Sequence, residues 1–463
     1  MTRLRDQGPT LLVATLAAAF GAALLQVTGI LAVVIEDSGA AESGTVRLLL
    51  GLVAGVFIVI AVYVSAVVTA NTVATVVAGR TRLIALYRLI GSSARAQRTT
   101  IAKEGLLVGI AGAILGGVLG SAVAWAAGEI GVLQGSLPRF EHSLLDPAVL
   151  LPMAAVVVTT WLAAWAGSRH VLAVRPSQAL GNSAEADLET VSRRTGRAVA
   201  AWILGIVGFA LLALGVVVGL FRPEGVLIGL LGGILSFTAI VLAAHRVMPP
   251  VLRAVGRAFG DGPVARLAAE NAVRHPERSA RMTIGLVIGV TLVTTFAVTM
   301  ESYRTMVLAA TADRAELQDA LGPVIDATVA VFSILIGFSA VIAAVGLVNT
   351  LSISILQRTR ELGLLRALGF DRRQVRAMVV LEAAALAIAA TLTGLVLGVA
   401  YGWVGAQSIL GSVGGGPGIV APTIPWPIIA IVVGAAILLT LVASVAPMRR
   451  AARVSPVVAL AVQ

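Results

Sequence analysis

Apolar residues fill long runs along this chain, and most charged residues gather in the gaps between them. Ten runs are long enough to cross a membrane as a helix, near 10–34, 48–78, 105–128, 147–167, 198–220, 225–244, 282–300, 325–356, 379–404 and 424–447. A spanning helix needs about 20 apolar residues to cover ~30 Å of hydrocarbon. The pattern predicts an all-α, polytopic membrane protein of about ten transmembrane helices. The second and eighth runs are unusually long. From Leu48 to Gly79 and from Ile325 to Leu356, each makes a helix ~45 Å long at 1.5 Å per residue. Tilt absorbs part of the excess. The rest is expected to project into the cytoplasm as a stalk, ending at Arg80-Thr81-Arg82 and Arg358-Thr359-Arg360.

The pattern occurs twice. Residues 71–120 and 349–398 align without gaps and are identical at 17 of 50 positions. The matches include Asn71/Asn349, Arg80/Arg358, Thr81/Thr359, Arg82/Arg360, Arg88/Arg366, Gly91/Gly369, Arg95/Arg373 and Glu104/Glu382. Composition accounts for shared Leu and Val, but not for shared charges, glycines and asparagine in one register. The chain reads as two copies of one membrane unit, each with a basic segment between apolar helices. Six spans separate Asn71 from Asn349. That number is even, so two parallel four-helix repeats are expected. Residues 174–180 and 454–460 add a second echo, both carrying Pro-x-x-Ala-Leu. The expected organisation is a first four-helix unit over 1–180, a polar, mobile cytoplasmic linker over 181–197, a central two-helix insert over 198–247, and a second four-helix unit over 248–463.

Composition excludes several classes. With 58% hydrophobic residues, 12% charged residues and a mean hydropathy of +0.98, the chain is too apolar for a soluble globular protein. A net charge of +11 invites a nucleic-acid reading, but the distribution argues against it. With the N-terminus inside, 29 of the 34 Lys and Arg fall on the cytoplasmic side, so the positive-inside rule holds at every loop. No nucleic acid is expected as a partner, and both termini are expected in the cytoplasm. The apolar run after the first residues is about 25 long and lacks a small-residue cleavage site, so it reads as a retained helix. The chain has no cysteine, and its four histidines show no ligand spacing, so no metal site is expected. The outer loops are short, and the Gly-rich stretch 411–418 reads as a flexible turn.

The basic segment carries the chemistry of interest. Leu362, Leu365 and Leu368 fall on one face of a short helix, with Arg360, Glu361 and Arg366 off it. Gly369 fits a helix C-terminal cap in the left-handed region. Asp371 then caps the next helix, and Gln374 completes a capping box. The first repeat keeps this logic more weakly, with Gly91 ending one helix and Ser93 capping the next. Each segment is thus expected to form a rigid elbow along the membrane surface. A plain interfacial anchor would not require Arg-Thr-Arg, Arg, Gly, Arg and Glu at matching offsets, so a lever docked into a motor subunit is favoured.

Gln357–Gly369, read with Asn349, the Pro-x-x-Ala-Leu tails and Asn271-x-x-Arg274-x-Pro276-x-Arg278, resembles the signature of FtsX-like permeases. These are the membrane subunits of type VII (MacB/Lol-type) ABC transporters. The first repeat departs from it, with Leu83, Ala85 and Tyr87 where the second has Glu361, Gly363 and Leu365. The resemblance implies a multi-pass protein of the bacterial plasma membrane whose elbows are coupling helices. The ATPase-coupling residues would be Arg80, Arg82, Arg88 and Gly91, then Arg358, Arg360, Glu361, Leu365, Arg366 and Gly369. It also implies a separate ATPase, two copies per chain, holding ATP and Mg. The chain's single lysine, Lys103, lies outside any Gly-Lys-Ser/Thr, so no cofactor and no ATP hydrolysis are expected in this chain. Many family members carry a large extracytoplasmic domain; its absence here favours a lipophilic or amphipathic substrate, or a peptide, taken from the bilayer.

Membrane-embedded acids would mark an ion-coupled carrier, and none is convincing. Glu104 and Glu382 sit near the starts of their spans and are read as favourable to the helix dipole. Glu301, Arg304 and Asp326 near the outer ends are weak candidates for a substrate vestibule. No nucleophile–base–acid set points to an enzyme. The expected function is an exporting permease, and the alternative is a non-transporting relay that controls an extracytoplasmic partner. Gly116-x-x-x-Gly120 and Gly394-x-x-x-Gly398 hold equivalent positions, and the repeats are expected to meet across comparable surfaces.

Overall fold

The computed structural model describes residues 8–37, 86, 87, 89–133, 147–168, 188–258, 270, 276–310, 369–412 and 418–451, with isolated positions between 55 and 71 and between 329 and 341. Among them there is no strand. Eight α-helices follow in order: α1 (Gly8–Asp37), α2 (Ala94–Leu133), α3 (Leu150–Gly167), α4 (Leu188–Gly219), α5 (Gly225–Arg257), α6 (Pro276–Ala310), α7 (Arg372–Leu410) and α8 (Trp426–Ala451). A 3-10 turn, Pro147–Val149, leads into α3. Seven helices are long and apolar enough to cross a membrane among the described residues, and Trp426–Leu438 in α8 is a shorter apolar segment. The chain is a multi-pass membrane protein. The projecting stalks expected at the ends of the second and eighth runs lie outside the described residues.

The helices overrun the apolar runs in a consistent way. α2 starts at Ala94 and α7 at Arg372, well before the runs at 105 and 379. At 1.5 Å per residue, each is ~60 Å long, about twice the hydrocarbon thickness. The same overrun appears in the central hairpin. α4 begins at Leu188, and α5 continues past 247 to Arg257 through Pro249 and Pro250. Arg197 Nη2 lies 2.8 Å from His245 Nδ1 and ties the two extensions together.

Packing follows the repeat. α1 packs on α2 and α3, and α6 packs on α7 and α8. The equivalent glycines seal each repeat internally. A Cβ on Gly112 would meet Ala14 at 2.6 Å, and Gly116 and Gly120 face the carbonyls of Thr15 and Ala19. In the second repeat, a Cβ on Gly394 would meet Val290 at 2.7 Å, while one on Gly398 would lie 2.9 Å from the Thr291 carbonyl. Small residues there let backbones touch, which is how helices associate where lipid supplies no hydrophobic drive.

The two halves meet elsewhere, through bulkier groups. Phe20 of α1 and Phe296 of α6 have ring centroids 6.4 Å apart. Val13, Val64, Val68, Phe237 and Ile288 form one buried cluster, drawing on both halves and on the central insert. Phe237 of α5 lies between two tyrosines, with centroids 6.3 Å from Tyr63 and 6.3 Å from Tyr401. The Tyr63 hydroxyl reaches Thr238 Oγ1 at 2.8 Å, and the Tyr401 hydroxyl reaches Ser236 Oγ at 3.0 Å. α5 therefore holds the second span of one half and α7 of the other from the same turn. Outward faces of α2, α4, α7 and α8 remain apolar and exposed, with Leu107 at 66% and Val396 at 70%, as lipid contact requires.

Candidate functional site

Both elbows turn on a glycine in the left-handed region, and they do so at equivalent positions: Gly91 has φ 97° and Gly369 has φ 99°. These are the only positive-φ residues among those described. A Cβ at either would meet nothing within 4 Å, so the backbone angle alone, not space, selects glycine. At Gly91 the turn is a Schellman closure, in which Ser92 N donates to the Tyr87 carbonyl at 2.9 Å.

The helix that leaves each elbow is capped as the sequence suggests. Ser93 Oγ accepts from Ala96 N at 3.1 Å. Asp371 Oδ1 accepts from Gln374 N at 2.6 Å, and Asp371 N donates back to Gln374 Oε1 at 3.0 Å. Satisfying these otherwise orphaned amides fixes where α2 and α7 begin, and hence the elbow angle. Asp371→Ala is expected to lower stability by about 1 kcal/mol, read as a lower melting temperature with unchanged membrane insertion. Retention of the full melting temperature would show the cap to be idle.

The caps displace an earlier assignment. Glu104 and Glu382 were expected to act on the dipole at helix starts, but α2 and α7 begin ten residues before them. The macrodipole effect is confined to the first turn, so their role is elsewhere. Glu382 is buried at 7% exposure, and Glu104 is half-buried.

Arg98 is a residue that the sequence reading passed over. It stacks its guanidinium 4.3 Å from the Trp165 ring centroid, and its Nη2 donates to the Trp165 carbonyl at 3.2 Å. Its Nε lies 3.4 Å from Ser168 Oγ. The first elbow is thereby fastened to the end of α3. Its identity with Arg376 across the repeats was the available signal. Next to Gly91, Leu86 and Ile90 are 50% and 81% exposed, so the first elbow presents an apolar surface flanked by exposed Arg95. Arg373 and Arg376 are exposed at the second.

Of the other candidates, Arg80, Arg82, Arg88, Arg358, Arg360, Glu361, Leu365, Arg366 and Asp326 lie outside the described residues. At the opposite end of the molecule Arg304 is exposed and Glu301 half-buried on α6. There the Gly418 end of the Gly-rich stretch is held by side chains of α7, while residues 413–417 lie outside the described residues. The fully buried Gln407 donates to the Gly418 carbonyl at 2.6 Å and accepts from Val420 N at 3.1 Å, while Trp403 Nε1 donates to the Val420 carbonyl at 2.7 Å. Among the described residues no group of His, Cys, Asp and Glu is arranged to hold a metal ion.

Two membrane units of one design, each turned by a capped elbow on a glycine, define a duplicated helical membrane fold. The model of the family described as FtsX-like permease C-terminal matches the chain twice, at residues 55–176 and 333–456. The chain belongs to the FtsX-like permease family. It is 25% identical over 162 residues to an uncharacterized ABC transporter permease, YknZ, of Bacillus subtilis, covering 35% of this chain and 37% of that protein. It is 30% identical over 148 residues to a macrolide export ATP-binding/permease protein, MacB, of Rhodopirellula baltica, covering 32% of this chain and 20% of that protein. An ABC transporter permease of Methanocaldococcus jannaschii is 39% identical over 71 residues, 15% of this chain and 16% of its own. The chain thus spans well under half the length of these curated relatives.

Proposed function

We propose that this chain is the permease subunit of an ATP-driven ABC exporter, worked through its two elbows by a separate ATPase. The observation that carries the reading is the pair of elbows. Family membership supplies the class, and the duplicated, capped, positive-φ hinge supplies the part that moves. A helix that leaves such a hinge and runs ~60 Å without a break carries displacement at one end to the other. Each elbow would seat one ATPase copy, which binds ATP and Mg. Residues Arg80, Arg82, Arg88, Arg358, Arg360, Glu361, Leu365 and Arg366 would make the contact, and exposed Leu86 and Ile90 would add apolar area at the first.

In this reading the elbows and both termini face the cytoplasm, as the arginine distribution favours. Export of a lipophilic or amphipathic compound, or of a peptide, fits the lipid-exposed apolar helices and the name of the Rhodopirellula relative. Glu301, Arg304 and Asp326 would line the exit. The test is reconstitution with a candidate partner ATPase. Permease-stimulated ATP hydrolysis is expected, and reversing charge at Arg360 and Arg366 together is expected to abolish it while insertion persists. Unchanged stimulation in that double variant would remove the lever from the account. ATP-dependent movement of substrate in sealed vesicles separates export from signalling.

A further inference from the structure

We infer that the basic end of the α4–α5 hairpin binds the phosphodiester headgroup of an anionic phospholipid. Arg246, Arg253 and Arg257 recur along α5 at steps of seven and four residues. At 3.6 residues per turn these steps return to within about 20° of the first side chain. All three are exposed on one face. The other face is fixed, because Met248, Leu252 and Val255 are buried in one cluster with Ala280 and Ile284 of α6 and Ala383 of α7. The apolar run sets the depth: it ends near residue 244, so Arg246 stands at the edge of the apolar span, and Arg253 and Arg257 continue the stripe out of it toward the headgroups.

A fourth arginine joins from the neighbouring helix. Arg197 of α4 donates to His245 Nδ1 at 2.8 Å, one residue from Arg246. An imidazole brings no negative charge, so this contact does not cancel that of the guanidinium. No Asp or Glu occurs between Gly225 and Gly260. Above Arg197, α4 turns Trp202, Ile206 and Phe209 outward at 70%, 65% and 54% exposure. A tryptophan at that level marks the membrane–water boundary, and the apolar wall is where acyl chains would lie. Orientation of the chain requires positive charge at this end, but not three arginines aligned on one face beside a fourth held from α4. Guanidinium forks match phosphate oxygens in pairs, and with no carboxylate on α5 to offset the arginines, a phosphodiester that carries no cation of its own is favoured over the choline-bearing one.

The experiment uses the full chain in detergent and in nanodiscs of phosphatidylcholine with or without phosphatidylglycerol. Native mass spectrometry counts retained lipid, and inorganic phosphate and glycerol phosphate serve as soluble competitors. Retention of phosphatidylglycerol over phosphatidylcholine is expected, weakening as salt rises. Each arginine is expected to contribute about fivefold in affinity. The triple variant R246Q/R253Q/R257Q should therefore lose on the order of a hundredfold, and the corresponding lysine variant, which keeps the charge but not the fork, should fall between it and the wild type. Arg222→Gln, at the other end of the hairpin, should change nothing. Equal retention in the wild type and the triple variant would overturn the proposal. So would full competition by inorganic phosphate, which would make this a free-anion site. Should the glutamine variant fail to fold, the wild-type preference for phosphatidylglycerol and its salt dependence decide alone, and absence of either refutes the site.

Discussion

Leucine at Gly120 or at Gly398 is expected to eliminate folded protein from detergent extracts, whereas leucine at Gly434 is expected to be accepted. The contrast follows from what lies opposite each position. At Gly120 a side chain would enter the Ala19 carbonyl, and at Gly398 it would enter Thr294 and the Thr291 carbonyl. Those are backbone or β-branched groups on helices that are themselves buried, so neither can turn aside. Gly434 is exposed, and its Cβ would meet nothing within 4 Å. Adding methylenes to a packed core costs about 1–3 kcal/mol, and four carbons driven against backbone exceed that range. A loss of more than about 3 kcal/mol consumes much of a typical stability of about 5–15 kcal/mol. Size-exclusion profiles of fluorescently tagged variants read the outcome. The repeat sharpens the expectation: equivalent glycines seal equivalent helix pairs, so the two variants should fail alike. A monodisperse peak for either leucine variant would mean that the helices do not pack as described.

The spans were readable because hydropathy reports membrane crossing directly, and Pro147–Gly167 and the start at Gly225 fall where the runs place them. Helix ends were not, because hydropathy marks the edge of lipid and not the end of a helix. Arg95, Arg98 and Lys103 are sound helix formers, so α2 starts at Ala94 while its apolar run starts later. The same holds for Arg193, Arg194 and Arg197 in α4. The elbow's caps were legible because capping is local: Gly369, Asp371 and Gln374 act within six residues of one another. Arg98 on Trp165 was not, since its partner lies 67 residues away in the chain. Nor was the aromatic contact of Tyr63, Phe237 and Tyr401, which needs three helices placed first. Glycine spacing announced close approach but could not name the neighbour. Within one repeat and between repeats were equally compatible with it.

Valine at Gly369 is expected to weaken engagement of the ATPase about thirtyfold while leaving the protein folded and inserted. The site is open, so no clash arises. The cost is purely dihedral: at φ 99° a β-branched side chain meets its own backbone, and such strain is worth about 2 kcal/mol. The chain escapes it by opening the elbow, so the docking-competent conformer becomes the minor one. Apparent affinity falls by that fraction, and about 2 kcal/mol corresponds to about thirtyfold. Titrating the variant permease against a fixed amount of ATPase should shift the half-maximal point by that factor, with the plateau approached at high permease. Asparagine tolerates the left-handed region better, so Gly369→Asn should lie between wild type and valine. A steric or charge effect would not produce that order. The equivalent change at Gly91 then decides how the motor is seated. Gly91 has the same angle, φ 97°, and the same open surroundings. If both elbows dock, Gly91→Val must cost as much as Gly369→Val, and the double variant must cost more than either. If Gly91→Val leaves the titration unmoved, the first elbow, with Leu83, Ala85 and Tyr87 in place of the second's Glu361, Gly363 and Leu365, holds no ATPase and serves only as a fixed bracket through Arg98.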